Sequence, residues 1–281
     1  MSVKAKKSIK TSKQDTLFYA VIYAVILLIL IILLWPLIFI VSSSLSSKEA
    51  VMAGRVFLLP VNFSLEGYKA VFQTNEVLIG FRNTVLYTLF GTMLNVALTL
   101  IAAYPLSRKD LPYRRMWSFI FTFTMIFSGG MIPTYMVVNK LGLMNSPLAM
   151  ILPTAMSVYN LMIARTFMEN SIPSELLEAA RVDGCDDIAY FWKILLPLSK
   201  PVIAVITLYY AVAHWNSYFN AFLYITDAKL NPLQIVLRNI LLANQIDTAM
   251  TTDFDTMTSK QGLADVLKYS LIVVNTLPVM I

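Results

Sequence analysis

The stretch Ser171-Ile-Pro-Ser-Glu-Leu-Leu-Glu-Ala-Ala-Arg-Val-Asp-Gly-Cys-Asp-Asp-Ile-Ala-Tyr-Phe-Trp-Lys-Ile-Leu-Leu-Pro197 lies between two strongly apolar runs and is itself polar. The whole chain is 58% hydrophobic and 14% charged, yet this segment holds Glu175, Glu178, Asp183, Asp186 and Asp187, with Glu169 just ahead of it. Its residues spell two short helices. Pro173 and Ser174 open the first, and Glu175 and Glu178 suit its positive N-terminal end. Ala179 and Ala180 give that helix a smooth face which another protein can approach closely. Gly184 supplies the left-handed position that ends a helix. Asp186 or Asp187 then caps a second, amphipathic helix with Ile188, Phe191 and Leu195 along one side, stopped by Pro197. A helix–Gly–helix element hanging from an apolar bundle reads as a docking element.

The surroundings are membrane helices. Mean hydropathy is +0.68, and several runs reach the roughly 20 apolar residues needed to cross a hydrocarbon core. Spans are expected near 17–41, 82–106, 116–138, 147–168, 201–225 and 265–281, giving an all-α membrane protein with six transmembrane helices. Residues 1–14 form a basic, flexible tail, and 15–281 read as one transmembrane domain without a linker or convincing internal repeat. The tail and the apolar run behind it do not make a cleavable signal peptide, because Leu17 to Val41 exceeds the roughly 7–15 apolar residues such a peptide uses.

Charge placement gives the orientation. Lys4, Lys6, Lys7, Lys10 and Lys13 crowd the tail, and Arg108, Lys109, Arg114 and Arg115 crowd the turn after span two. Segments 42–78 and 226–264 balance their charges, so the positive-inside rule puts the N-terminus in the cytoplasm. The segment 171–197 then falls on the same side, between spans four and five. The formal net charge of +6 thus reports topology and lends nothing to a nucleic-acid partner. Cys185 is the only cysteine, which excludes an intrachain disulfide.

Catalytic patterns are missing. No Gly precedes a Lys, so there is no phosphate loop. One His and one Cys do not make an ordinary zinc site, and His214 has no carboxylate near it in sequence for a triad. No span carries Asp or Glu at its middle, as a proton-coupled carrier usually requires. Energy for uphill transport is therefore expected from another chain.

Glu178-Ala-Ala-Arg-Val-Asp-Gly184, followed by Phe191, Ile194 and Leu196-Pro197, resembles the E-A-A-x-x-D-G…I-x-L-P loop of permease subunits in bacterial ABC importers. Phe127-Ser-Gly-Gly-Met-Ile-Pro-Thr-Tyr135, Leu141-Gly-Leu, Arg165-Thr-Phe and Tyr209 to Tyr224 are similar to the carbohydrate-uptake branch, and within it to the MalG-like LplC/YtcP type. The resemblance implies a type I importer permease fold in the bacterial inner membrane. It makes 171–197 the cytoplasmic coupling helix, with Glu178, Ala179, Ala180, Asp183, Gly184, Leu196 and Pro197 as ATPase-coupling residues. The implied partners are a sister permease in a heterodimer, two ATP-binding subunits (in some systems shared among sugar importers) and an extracytoplasmic sugar-binding lipoprotein. ATP and Mg belong to the ATPase, and this chain binds no cofactor or metal. Oligosaccharides, including pectin fragments, are the implied cargo. The family also continues past the last span into a short cytoplasmic tail.

Span five suggests where a sugar would pass. Tyr209, Ala213, Asn216 and Asn220 share one helical stripe, and Tyr210, His214 and Ser217 the adjacent one. Aromatic faces stack on sugar rings, and Asn amides both donate to and accept from hydroxyls. Tyr159 and Asn160, and more weakly Asn83 and Asn95, are candidates by the same argument. The same residue types also hydrogen-bond helices to one another, and Trp215, Tyr218 and Tyr224 also suit an interfacial belt. A self-contained carrier or facilitator of another small solute is the alternative function. A scaffold that only recruits a partner through the loop is a third.

Overall fold

A computed structural model describes the backbone of residues 13–250 and 254–280 and the side chains of 14–240, 242 and 265–280. Most of the expected basic tail, and Ile281, lie outside the described residues. Those described are mostly helical, with no strand among them. They divide into two compact units, one of residues up to Val71 with Asn244–Leu277, the other of Phe72–Ala243 with 278–281.

In the first unit, α1 (Lys13–Ser44) is a single 32-residue helix. Its apolar length, Gln14–Ser44, has a mean hydropathy of 3.3 in its most apolar window, none of which is buried inside the chain. Its end is a knot of buried serines. Ser42 Oγ donates to the Leu58 carbonyl at 2.7 Å, and Ser46 Oγ donates to the Ser42 carbonyl at 2.7 Å while accepting from Val61 N–H at 3.0 Å. These bonds fold the 53–65 segment back over α1, past the short α2 (Lys48–Met52) and into α3 (Glu66–Gln73).

The second unit is built around α4 (Asn75–Ser107). That helix buries Val77, Thr84, Tyr87, Gly91, Asn95, Thr99 and Ala103, positions that recur every three or four residues and so share a face. Two helices pack there, α8 (Val158–Ser171) and α12 (Lys200–Trp215). At Gly91 the approach is so close that a Cβ would sit 2.5 Å from His214 Nε2. The apolar core at the loop end gathers Leu100, Ala103, Leu106, Leu161, Ala164, Met168 and Ile206.

Three of the expected spans are broken rather than straight. Span three is α5 (Arg114–Ile126) and α6 (Met131–Lys140), bent by 107°. The break falls at Phe127–Gly130, a stretch with two adjacent glycines shortly ahead of Pro133. Span four is α7 (Pro147–Ile151), a 3₁₀ turn Leu152–Thr154, then α8 after a 52° bend. Ser157 restarts the helix by capping the Asn160 N–H at 3.5 Å. Span five, expected as 201–225, stops at Trp215 and resumes as α13 (Phe219–Tyr224). Tyr209 therefore does not share a helix with Asn220. The turn also carries Trp215 and Tyr224 inward, where both are buried; neither belongs to an interfacial belt. Trp215 meets Phe81 edge-on at 5.9 Å and Tyr224 stacks on Tyr135 at 6.2 Å.

Two single helices, Gln14–Ser44 and Asn75–Ser107, are long and apolar enough to cross a membrane, and up to five spans result if each bent pair is one span. The expected sixth span is carried by the final helix, Phe254–Met280, which is not among these five. The segment before it, read from sequence only as a connection, contains the helix Leu233–Met250.

Candidate functional site

The 171–197 segment forms its two helices. The first, α9 (Ser174–Val182), follows Pro173. Gly184 has φ +76°, the left-handed region where an L side chain is strained. Cys185 N–H bonds back to the Ala180 carbonyl at 2.8 Å, closing the turn. Asp186, not Asp187, caps α10 (Asp187–Tyr190), its Oδ1 accepting from Ala189 N–H at 2.7 Å.

Two expectations for this loop are corrected. Ala179 is exposed, but Ala180 is 5% exposed and packs into the core beside Tyr190 and Phe191. It braces the loop against its own bundle, so the two alanines do not share an open face. Ile188 is 70% exposed while Phe191 and Leu195 are buried. Ile188 belongs to the short first stretch of this helix, α10, whereas Phe191 and Leu195 bound the π-helical turn that follows it. Pro197 lies one residue before the end of the helical run Asp187–Leu198, in the short α11 (Leu196–Leu198). The chain turns by 80° afterwards, into α12.

An ion-pair cluster ties this loop to the end of α4. Arg108 grips Asp110 with Nε at 2.8 Å and Nη2 at 2.6 Å, and reaches Asp187 with Nη1. Arg181 of α9 adds a bond from Nη2 to Asp110 Oδ2 at 3.0 Å. The Arg108 bonds, and then Arg181, hold the Asp110 carboxyl well below the usual carboxylate range. Sequence reading missed the cluster, taking Arg108 only as a topology signal and giving Asp110 no role. Glu178 lines a cleft of about 440 Å³ beside it, together with Arg108, Glu169 and Arg181.

The sign of the pH dependence follows. A carboxyl with a depressed folded pKa contributes stability above its unfolded value, near pH 4, and loses it as pH falls through the folded value. Asp110→Asn should lower the melting temperature by the same amount at every pH between about 5.5 and 8, and the gap should narrow only below roughly pH 4. A gap that varies with pH near neutrality, followed by differential scanning fluorimetry, would show that the cluster is not the structural tie.

The second region is a cavity of about 320 Å³ where the broken helices meet. It is lined by Asn95, Thr154, Ser157, Asn160, Tyr209, Tyr210, Ala213, His214, Asn216, Ser217, Tyr218, Phe219 and Asn220. Five of the six proposed path residues come together here, although their shared stripe does not exist. Tyr159 does not join them: it is exposed and lines a separate hollow with Met162, Thr166 and Asn170. The roughly 100° between adjacent residues of a helix puts Asn160 inside and its neighbour outside.

Asn95 is at the centre, though the sequence ranked it low. It is 1% exposed. Its Nδ2 donates to the Thr154 carbonyl at 3.0 Å and to His214 Nε2 at 3.1 Å. The buried Oδ1 has no hydrogen-bond partner among the described residues. Tyr210 Oη accepts from Ser157 N–H at 2.9 Å and pairs with Thr99 Oγ1 at 2.7 Å. His214 and Tyr210 thus bond helix to helix. Asn216 is half committed: its Nδ2 donates to the Val212 carbonyl at 3.0 Å and its Oδ1 accepts from Gln234 at 3.3 Å. Asn83, the other weak candidate, donates to the Lys229 and Asn231 carbonyls and holds a loop. Thr154 and Ser157 were missed altogether, though Pro153 with a capping Ser157 was the signal for a break that exposes backbone.

Residues 79–279 match the family described as binding-protein-dependent transport system inner membrane component. The chain is 40% identical over 269 residues to the polygalacturonan/rhamnogalacturonan transport system permease protein YtcP of Bacillus subtilis (strain 168), covering 95% of this chain and 93% of that one. It is 39% identical over 245 residues to protein LplC of the same organism, covering 87% and 82%. Among solved structures it superposes on a chain of a bacterial ABC transporter involved in the import of the acidic polysaccharide alginate. That match has a TM-score of 0.87 and 31% identity, and covers 97% of this chain and 96% of that one.

Proposed function

Because the chain belongs to the family of binding-protein-dependent transport system inner membrane components, we propose that it forms, with a sister permease, the translocation path of an ATP-driven oligosaccharide importer. Members similar to it are ABC transporter permeases, so the chain is a transport subunit and not an enzyme. In this reading six spans cross the inner membrane with the N-terminus in the cytoplasm. The 171–197 segment docks on one of two ATPase subunits, which bind the ATP and Mg. An extracytoplasmic lipoprotein delivers the sugar. Fragments of galacturonan and rhamnogalacturonan are the first cargo to test, given the relative at 40% identity.

The cavity supports the sugar reading most directly. Its polar lining is amides, hydroxyls, phenols and the His214 imidazole, with no Asp, Glu, Lys or Arg among them, a surface that exchanges hydrogen bonds with hydroxyls and offers ring faces for stacking. The exposed edge of the loop supports the coupling reading. Glu178, Ala179, Asp183 and Gly184 are all open there, and ATPase closure would carry them as a lever because Ala180 and the Arg108 cluster fix the loop to α4 and α10. Such contact differs between open and closed ATPases, which coupling requires.

The test is the energy source. In vesicles holding this chain with its co-purified partners, uptake of the sugar should require ATP and persist when the proton gradient is collapsed. Uptake by this chain alone under an imposed pH gradient would establish a self-contained carrier in its place.

A further inference from the structure

Beside the first turns of α5 lies another cavity, of about 400 Å³, lined by Arg114, Arg115, Ser118, Phe119, Thr122 and Arg165. Two of its arginines are set in place by the fold. Arg114 Nε and Arg165 Nε both donate to the Leu106 carbonyl, at 2.9 and 3.2 Å, and both guanidiniums pair with Glu169. Nη1 of each stays outside these pairings, that of Arg165 making only a 3.9 Å contact to Met162 Sδ. Arg115 is exposed and has no ion-pair partner among the described residues. Three guanidiniums thus face one carboxylate, a local excess of two positive charges.

Two further observations say what this charge is for. The Ser118 Oγ, on a residue that lines this cavity, is buried and has no hydrogen-bond partner among the described residues. Directly alongside, α5 leaves Met116, Trp117, Phe119, Ile120 and Phe123 exposed, an apolar surface at the end of a membrane helix with Trp at the interface level. The pocket and this surface together fit an amphiphile with an anionic head.

We propose that this cavity binds the phosphodiester headgroup of an anionic lipid, with its acyl chains lying on the apolar face of α5. Guanidiniums match phosphate oxygens in a planar, two-bond geometry and are less strongly hydrated than ammonium. Basic pockets between transmembrane helices are a recurrent headgroup site. A soluble phosphate would find the same arginines but would have no use for the apolar face.

The experiment is native mass spectrometry of the full chain in detergent micelles, titrated with phosphatidylglycerol, phosphatidylcholine or glycerol 3-phosphate. Phosphatidylglycerol should be retained and the other two should not. Arg115→Glu reverses a charge that has no ion-pair partner among the described residues, and should weaken retention at least roughly fivefold. Ser118→Leu should also weaken it by filling the cavity. Lys140→Glu, the same charge change at the far end of α6, should leave retention unchanged. Equal binding of phosphatidylcholine, equal binding of glycerol 3-phosphate, or full retention in Arg115→Glu would each overturn the proposal. The first would mean no headgroup recognition, the second a free-anion site, and the third a lipid bound elsewhere.

Discussion

Ala179→Arg should leave the protein folded in the membrane and abolish both ATPase co-purification and uptake, while Ala180→Arg, one residue on, should fail to give folded protein at all. The two side chains differ only in which way they face. Ala179 lies on the open edge of α9, and an arginine there extends into the space that the coupling reading gives to the ATPase. Ala180 is packed among Tyr190, Phe191 and the α4 core residues. An arginine at that position has neither room nor a carboxylate, and an uncompensated buried charge costs about 3–5 kcal/mol. Against a total stability of about 5–15 kcal/mol, that removes most of the folded population. Gly184→Val falls between them. Nothing lies within 4 Å of a Cβ there, so its cost is the left-handed backbone alone, roughly 1–2 kcal/mol. Size-exclusion yield reads folding, and the co-purified ATPase and sugar uptake read coupling. Normal uptake by Ala179→Arg would remove the docking role from this face.

Asn95→Leu should reduce uptake at low sugar concentration far more than His214→Gln does. The leucine removes the amide donors that hold Thr154 and His214, and a buried amide oxygen that has no hydrogen-bond partner among the described residues. Leaving buried partners unsatisfied costs about 1–3 kcal/mol, equivalent to roughly 5- to 150-fold in binding. In His214→Gln an amide oxygen replaces Nε2 as the acceptor, so the bond to Asn95 survives and ATP-dependent uptake should persist with weaker affinity. His214→Leu should behave like Asn95→Leu. Concentration-dependent uptake in the reconstituted transporter separates these outcomes. Equal activity of Asn95→Leu and wild type would mean that sugar passes without touching this cavity.

The features legible in the sequence are those decided by a few neighbouring residues. Gly184 ends α9 because no other residue takes φ +76° without strain, and Asp186 caps α10 through a bond spanning three residues. Ser128, Gly129 and Pro133 mark the break between α5 and α6 for the same local reason. The E-A-A-x-x-D-G pattern identifies the loop because its turn and cap chemistry are contiguous.

What the sequence left open was how each helix is rotated about its own axis. Helices that are apolar on every side carry no periodic signal to say which face turns inward. Ala179 and Ala180 are identical in type, as Asn95 and Asn160 are to Asn83 and Asn216, and only the packing around each separates their roles. Tertiary structure sent Tyr159 outward and Asn160 inward, unwound the expected fifth span at Asn216, and gathered residues from α4, α8, α12 and α13 around one cavity. It also joined Arg108 to Asp187 and Asp110 to Arg181, pairs 79 and 71 positions apart across the loop. Contacts at that separation depend on how helices stack, and the close approach at Gly91 that fixes the stacking is a property of two helices at once.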